Sequence, residues 1–245
     1  MADLNLFLNF IGMIFELFII IFAAVLLILI FKKYMIKRHK LTRLLFIIFV
    51  NYSIAIVFSW ISKVFVVFQV NIVQDGSIIS RIYNLISDFR ISELFVTFAI
   101  ILSYILKVNV FEKEYNTIQK YVVLIYGIFA GVYVLFIYEN GNTLLDILAF
   151  LIVFIYMVMV YTPFLKRAVE AYRGVQEKLY KQAFLSLAIM AISFMLIFLD
   201  FAIDRLLIFL GSPGFTVFYF LAWSFAIVGI FGAYYGYIRP KTSED

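Results

Sequence analysis

Ten ionisable side chains sit inside long apolar runs of this 245-residue sequence: Glu16, Lys63, Arg81, Asp88, Arg90, Glu93, Asp146, Asp200, Asp204 and Arg205. A charge in the middle of a bilayer costs about 2.5–3.5 kcal/mol on the insertion scale. Such residues therefore face the protein interior or a water-filled cavity rather than lipid. Arg81 and Asp146 fall close enough to an interface to serve as anchors. Of the remaining eight, Glu16, Lys63, Asp88, Arg90, Glu93, Asp200 and Asp204 form a candidate cluster, expected to converge in the outer half of the bundle. Asp200 and Asp204 are one helical turn apart and repel unless a base or cation lies between them. Lys63 is the first candidate for that base and Arg90 the second.

Two kinds of chemistry suit such a cluster. The charges can simply pair, as Arg90 and Glu93 can at i,i+3 spacing. Alternatively they line a ligand pocket, or an ion or proton path, open to one side. An interface with another membrane subunit is a third use. The ten embedded groups are six acids and four bases, a net of −2. Either one or two carboxyls stay protonated, because a low-dielectric interior disfavours the charged form, or a cation belongs among them. A cationic or zwitterionic small ligand is the corresponding partner.

The elements that must carry these residues follow from hydropathy. Hydrophobic residues make up 66% of the chain and charged ones 14%, against about 25% charged in soluble domains. Only helices and closed barrels satisfy their backbones in lipid, and the apolar runs are long and unbroken rather than short and alternating. The expected fold is an all-α integral membrane protein, one seven-helix transmembrane domain over residues 1–245. The spans are expected at 4–31, 44–70, 78–110, 121–138, 144–165, 183–210 and 215–238, each near the ~20 residues that cross a bilayer. Turn residues stand at Gln74-Asp75-Gly76-Ser77, Glu139-Asn140-Gly141-Asn142 and Gly211-Ser212-Pro213-Gly214.

Charge placement orients the bundle. The basic residues Lys32, Lys33, Lys37, Arg38, Lys40 and Arg43 fall between the first and second spans. Lys107, Lys113 and Lys120 are assigned to the loop between the third and fourth. Lys166, Arg167, Arg173, Lys178 and Lys181 fall between the fifth and sixth, and Arg239 and Lys241 in the tail. The turns on the opposite side hold none. The positive-inside rule then puts the N-terminus outside and the C-terminus in the cytoplasm, in a multi-pass protein of the cell membrane. The basic loops are expected to meet anionic headgroups, and no nucleic acid is expected as a partner. The first span is not expected to be a signal peptide, since six positive charges follow it in place of a cleavage site. The seven residues after Ile238 leave no expected soluble effector domain. Glu177 and Lys181, at i,i+4, suggest that the helices around them extend beyond the membrane.

Helical spacing sorts the polar groups onto faces. Asn9, Gly12 and Glu16 share a stripe in the first span. Asn51, Ser62 and Gln69 do so in the second, with Lys63 beside them. Ser186, Ser193, Asp200 and Asp204 line up in the sixth, and Thr216, Tyr219 and Trp223 in the seventh. The third span is polar on two faces, Arg81, Asn84, Asp88 and Ser92 on one and Arg90, Glu93, Thr97 and Tyr104 on the other, so it is expected at the centre. The fourth span carries no charge and is expected at the periphery. Its Gly127-x-x-x-Gly131, and Gly232-x-x-x-Gly236 in the seventh, permit close helix approach, most simply within the bundle.

The architecture resembles that of microbial rhodopsins, animal-type seven-helix receptors and the three-one-three sugar transporters, but no motif carries the resemblance. A retinal protein needs a Schiff-base lysine in its last helix, and the seventh span has none. An Asp-Arg-Tyr-type motif is replaced by Leu106-Lys107-Val108-Asn109, an Asn-Pro-x-x-Tyr motif is missing from the seventh span, and only Pro163 lies in a span. The chain has no cysteine and one histidine, His39, in a basic run. These exclude thiolate chemistry and paired haem ligands, so no cofactor is expected. No nucleophile–base pair is visible and no enzyme is expected. The expected function is a non-enzymatic receptor or sensor with an outward-facing polar pocket, passing its signal to a protein partner through the loops around 32–43 and 166–182. The alternatives are a small-solute or ion transporter and a scaffolding subunit of a membrane complex. Transporters tend to carry broken helices at a mid-membrane site, and the first, second, third, fifth and sixth spans lack Gly and Pro in their middles, save Gly12 toward the outer end of the first.

Overall fold

The computed structural model describes residues 2–70, 76–112, 114–137, 139, 141–212 and 215–238. Gln74, Asp75, Lys113, Tyr138, Asn140, Pro213, Gly214, Arg239 and Lys241 lie outside the described residues. Those described form eight helices and no strand: α1 Ala2–Lys37, α2 Lys40–Val67, α3 Ile78–Ser87, α4 Arg90–Phe111, α5 Thr117–Val132, α6 Thr143–Gly174, α7 Lys178–Phe209 and α8 Val217–Ala233. α5 and α8 run on into wider π-helical turns at Tyr133–Ile137 and Tyr234–Ile238. All but the short α3 are long and apolar enough to cross a membrane, seven in number, as fits a multi-pass membrane protein. The helices reach further than hydropathy alone marks. α6 and α7 extend until only residues 175–177 separate them, so Lys166, Arg167, Arg173, Lys178 and Lys181 ride on helix ends.

Short polar side chains start the helices. Ser77, Asn116, Asn142 and Thr216 each accept from a backbone N–H of the first turn, filling donors that the helix itself leaves open. His39 does the same for α2, its Nδ1 accepting from the Leu41 N–H. The single histidine is a helix cap.

Six spans close a ring: α1 packs on α2, α2 on α4, α4 on α6, α6 on α7, α7 on α8, and α8 back on α1. α5 rests against α4 and α6. Half of the most apolar stretch of α4 is buried, against 28% for α1 and α5. Arg90 and Glu93 are buried in protein. The charge-free fourth span is peripheral, as its composition suggests. The third span is the most buried, but it stands in the ring; the middle of the ring is a cavity.

The expected 78–110 helix is two helices. Asp88 caps α3, and Phe89 takes a left-handed conformation at φ 66°, which costs a non-glycine residue roughly 1–3 kcal/mol. Arg90 Nε donates to the Asp88 carbonyl at 2.7 Å and fastens the break. The break parts the two faces drawn on one continuous helix. Arg81 is exposed on α3 and donates to the Leu135 carbonyl at 2.8 Å, while Ser92 is buried on α4. Gln69 likewise leaves the stripe of Ser62, because α2 ends at Val67.

Glycines close the helix contacts inside the bundle. A Cβ on Gly232 would stand 2.9 Å from the Ser186 carbonyl on α7. On Gly127 it would stand 2.7 Å from the Tyr156 hydroxyl on α6, and on Gly236 it would overlap Leu187. Gly131 has ordinary room, with Leu94 at 3.8 Å. Both small-residue motifs thus serve packing within the chain.

Candidate ligand pocket and its ion clusters

The embedded charges form two clusters at the end of the ring where α1, α4, α6 and α8 begin. In the first, Lys63 on α2 meets Glu16 on α1 at 2.7 Å, both buried. Glu16 Oε1 also accepts from the Ser59 hydroxyl at 2.9 Å and the Tyr219 hydroxyl at 2.7 Å. Three helices are joined through one carboxylate oxygen. Gly12 makes room for this: its missing Cβ would lie 3.0 Å from the Tyr219 hydroxyl and 3.4 Å from Lys63 Cε. The stripe Asn9, Gly12, Glu16 therefore does face inward.

In the second cluster, Arg90 on α4 is clamped between Glu93, at 2.6 Å, and Asp146 on α6. Asp146 also receives Arg205 from α7, Nε to Oδ2 at 3.5 Å. Two bases meet two acids. Cations and rings interleave between the clusters. Phe89 has the Lys63 ammonium at 4.4 Å from its centroid and the Arg205 guanidinium at 5.2 Å. This double cation–π contact holds the ring that the strained backbone presents.

Asp200 and Asp204 belong to neither cluster, contrary to the expected pairing with Lys63 or Arg90. Their stripe on α7 turns toward α8. Asp204 Oδ1 accepts from both the backbone N–H and the hydroxyl of Thr216, at 2.7 Å each. Asp200 is buried, and its Oδ2 has no hydrogen-bond partner. Lys63 chooses Glu16 because α1, not α7, packs along α2 at that level. Asp88 sits half-buried at the α3–α4 break and contributes its backbone carbonyl to Arg90. Asp146 and Arg205, which hydropathy places at an interface or leaves aside, are central.

No protein-family model, curated protein or solved structure matches this chain.

Below the clusters the ring encloses a cavity lined from all six of its helices, apolar and aromatic for the most part, including Phe150, Phe198 and Phe201. Its volume is about 80 Å³. A cavity needs only roughly 10–15 Å³ to hold one water, so the space exceeds a packing defect. Its two charged lining residues are Glu93 and Arg205. Two buried polar atoms on its wall have no hydrogen-bond partner: Glu93 Oε1 and the Ser92 hydroxyl. Buried polar atoms are nearly always satisfied, and exceptions call for a water, an ion or a ligand.

The two ends of the cavity differ. Phe89 and Arg205 line the cavity and also two outer recesses, one beside Asn9, Ser62 and Lys63 and one beside Asp88, Asn142 and Asp146. These two side chains form the wall between the cavity and the recesses. At the far end, Tyr52 and Tyr161 share a hydrogen bond of 2.8 Å and Tyr161 reaches Ser103 at 2.9 Å. Because the Ser103 hydroxyl donates to the Ala99 carbonyl, the chain of donors runs Tyr52 to Tyr161 to Ser103 and stops on backbone. Phe194 packs on Tyr52 and Phe49. The polar trail does not continue through Asn51, which donates to the Ile47 carbonyl of its own helix.

At the opposite face, Lys107 is not a loop residue. It is buried one turn before the end of α4 and binds Glu112 at 3.2 Å and Gln119 at 3.1 Å. Glu112 also approaches Arg167 of α6 at 3.9 Å. The basic character of this region had pointed to solvent, whereas the side chain ties α4 to α5.

Proposed function

We propose that this protein is a non-enzymatic seven-helix receptor or sensor whose ligand occupies the central cavity from the side bearing the N-terminus. The observation that carries the reading is the cavity with unpartnered polar atoms on its wall, bounded on one side by Phe89 and Arg205 and on the other by the Tyr52–Tyr161–Ser103 floor. Energetics support it. A buried ion pair is often no more stabilising than apolar residues of the same volume, so two buried charge clusters at the mouth of a cavity are poorly explained by stability alone. The closed floor favours a receptor over a transporter, and the polar atoms turned to the cavity favour it over a sealed scaffold.

The orientation belongs to the same proposal: N-terminus outside, basic helix ends of α1, α2, α6 and α7 in the cytoplasm against anionic headgroups, in the cell membrane. A signal would leave through the turns at 38–39 and 175–177 to a separate protein.

A covalent occupant tests this without knowledge of the ligand. The chain has no native cysteine, so Ser92→Cys can be modified alone with a small methanethiosulfonate. Filling the cavity should alter amide hydrogen exchange at both cytoplasmic turns. Exchange that changes only around Ser92 would fit a structural subunit and count against a receptor.

A further inference from the structure

We infer that the cavity ligand is a small zwitterion with an apolar body, of the kind represented by a hydrophobic α-amino acid. This rests on the receptor reading above and adds the ligand's chemistry. The cavity wall carries one acid and one base that both have bonding capacity left. Glu93 Oε2 is taken by Arg90, but Oε1 is buried without a partner. Oε1 can receive an ammonium. Arg205 approaches Asp146 through Nε alone, at 3.5 Å. The forked end of its guanidinium suits a carboxylate.

Charge balance argues for both ends at once. Glu16 with Lys63 is neutral, and so is the set of Arg90, Arg205, Glu93 and Asp146. An anion alone would leave Glu93 unanswered and add negative charge beside Asp146. A cation alone would leave Arg205 loosely held. A zwitterion answers both without changing the total. Glu93 and Arg205 line the same cavity and belong to one network through Arg90 and Asp146, so one small ligand can answer both, and an α-amino acid is the simplest zwitterion of that kind. The rest of the wall specifies an apolar body. The cavity volume of about 80 Å³ keeps that body small.

The experiment is a ligand series on the full chain in detergent or nanodiscs, read by thermal unfolding. L-leucine is compared with isopentylamine, which lacks the carboxylate, and 4-methylpentanoate, which lacks the ammonium. L-leucine should raise the midpoint saturably, and each analogue should bind at least tenfold more weakly. In Glu93→Gln the advantage of L-leucine over 4-methylpentanoate should shrink; the series on the parent chain decides the matter if that variant does not fold. An analogue that matches L-leucine overturns the zwitterion while leaving an occupied cavity and the receptor reading intact. Stabilisation by none of the three overturns both.

Discussion

Lys63→Met is expected to destabilise the protein by about 3–5 kcal/mol, the cost of removing one partner of a buried ion pair. The loss is large because Glu16 is left with a full charge, or must take up a proton, among Phe89, Phe215 and Tyr219, far from solvent. Only the Ser59 and Tyr219 hydroxyls remain as donors to it. Glu16→Gln alone should cost less, since an amide keeps a hydrogen-bonding oxygen for both hydroxyls, yet it strands the ammonium. The double change Glu16→Gln, Lys63→Met removes both charges and should recover more than half of the Lys63→Met loss. Unfolding of the three variants in detergent gives the coupling through a double-mutant cycle. Strictly additive losses would mean that the 2.7 Å pair contributes nothing as a pair. The same cycle with Asp200→Asn in place of Glu16→Gln should show no rescue, because Asp200 does not touch Lys63.

Arg90→Gln should be at least as damaging. Arg90 holds Glu93, Asp146 and the Asp88 carbonyl at once. Its loss leaves two carboxylates facing Arg205 alone and releases the bond that fastens the α3–α4 break. A loss of about 3–5 kcal/mol follows from the stranded charges. Phe89 would also be freed to leave the left-handed region, which offsets roughly 1–3 kcal/mol of that, so the uncovered acids decide the sign. Adding Asp146→Asn should restore part of the stability. If Arg90→Gln unfolds at the same denaturant concentration as the parent, the second cluster is not a structural keystone.

The spans were legible because seven apolar runs and the basic residues between them leave no other reading, and the stripe Asn9–Glu16 points inward as its spacing says. The peripheral fourth span follows from the same logic, since a helix without polar groups has no reason to avoid lipid. The break at Phe89 left no mark: Ser87-Asp88-Phe89-Arg90 contains neither Gly nor Pro, and what stabilises it is tertiary, two cations on one ring and a guanidinium on one carbonyl. Partner choice was equally hidden. Glu16 and Asp200 lie at comparable depth and carry the same charge, so only the packing order of α1, α2 and α7 assigns Lys63 to one of them. Asp146 and Lys107 were misplaced for one reason. Both sit one turn from a helix end, where hydropathy reads water, but neighbouring helices cover them.

A cavity that opens toward the side bearing the N-terminus should reveal itself in the rate and sidedness of thiol labelling at Ser92→Cys. The cysteine-free chain makes each single cysteine unambiguous. Cysteines at Ser77 and Asn142 should label from outside intact cells and one at Thr117 only after permeabilisation, which fixes the orientation. Against those controls, Ser92→Cys should react with a small charged reagent applied outside, and Phe89→Ala should speed that reaction. Reaction only from the cytoplasmic side, or from neither side, would contradict an outward-opening pocket.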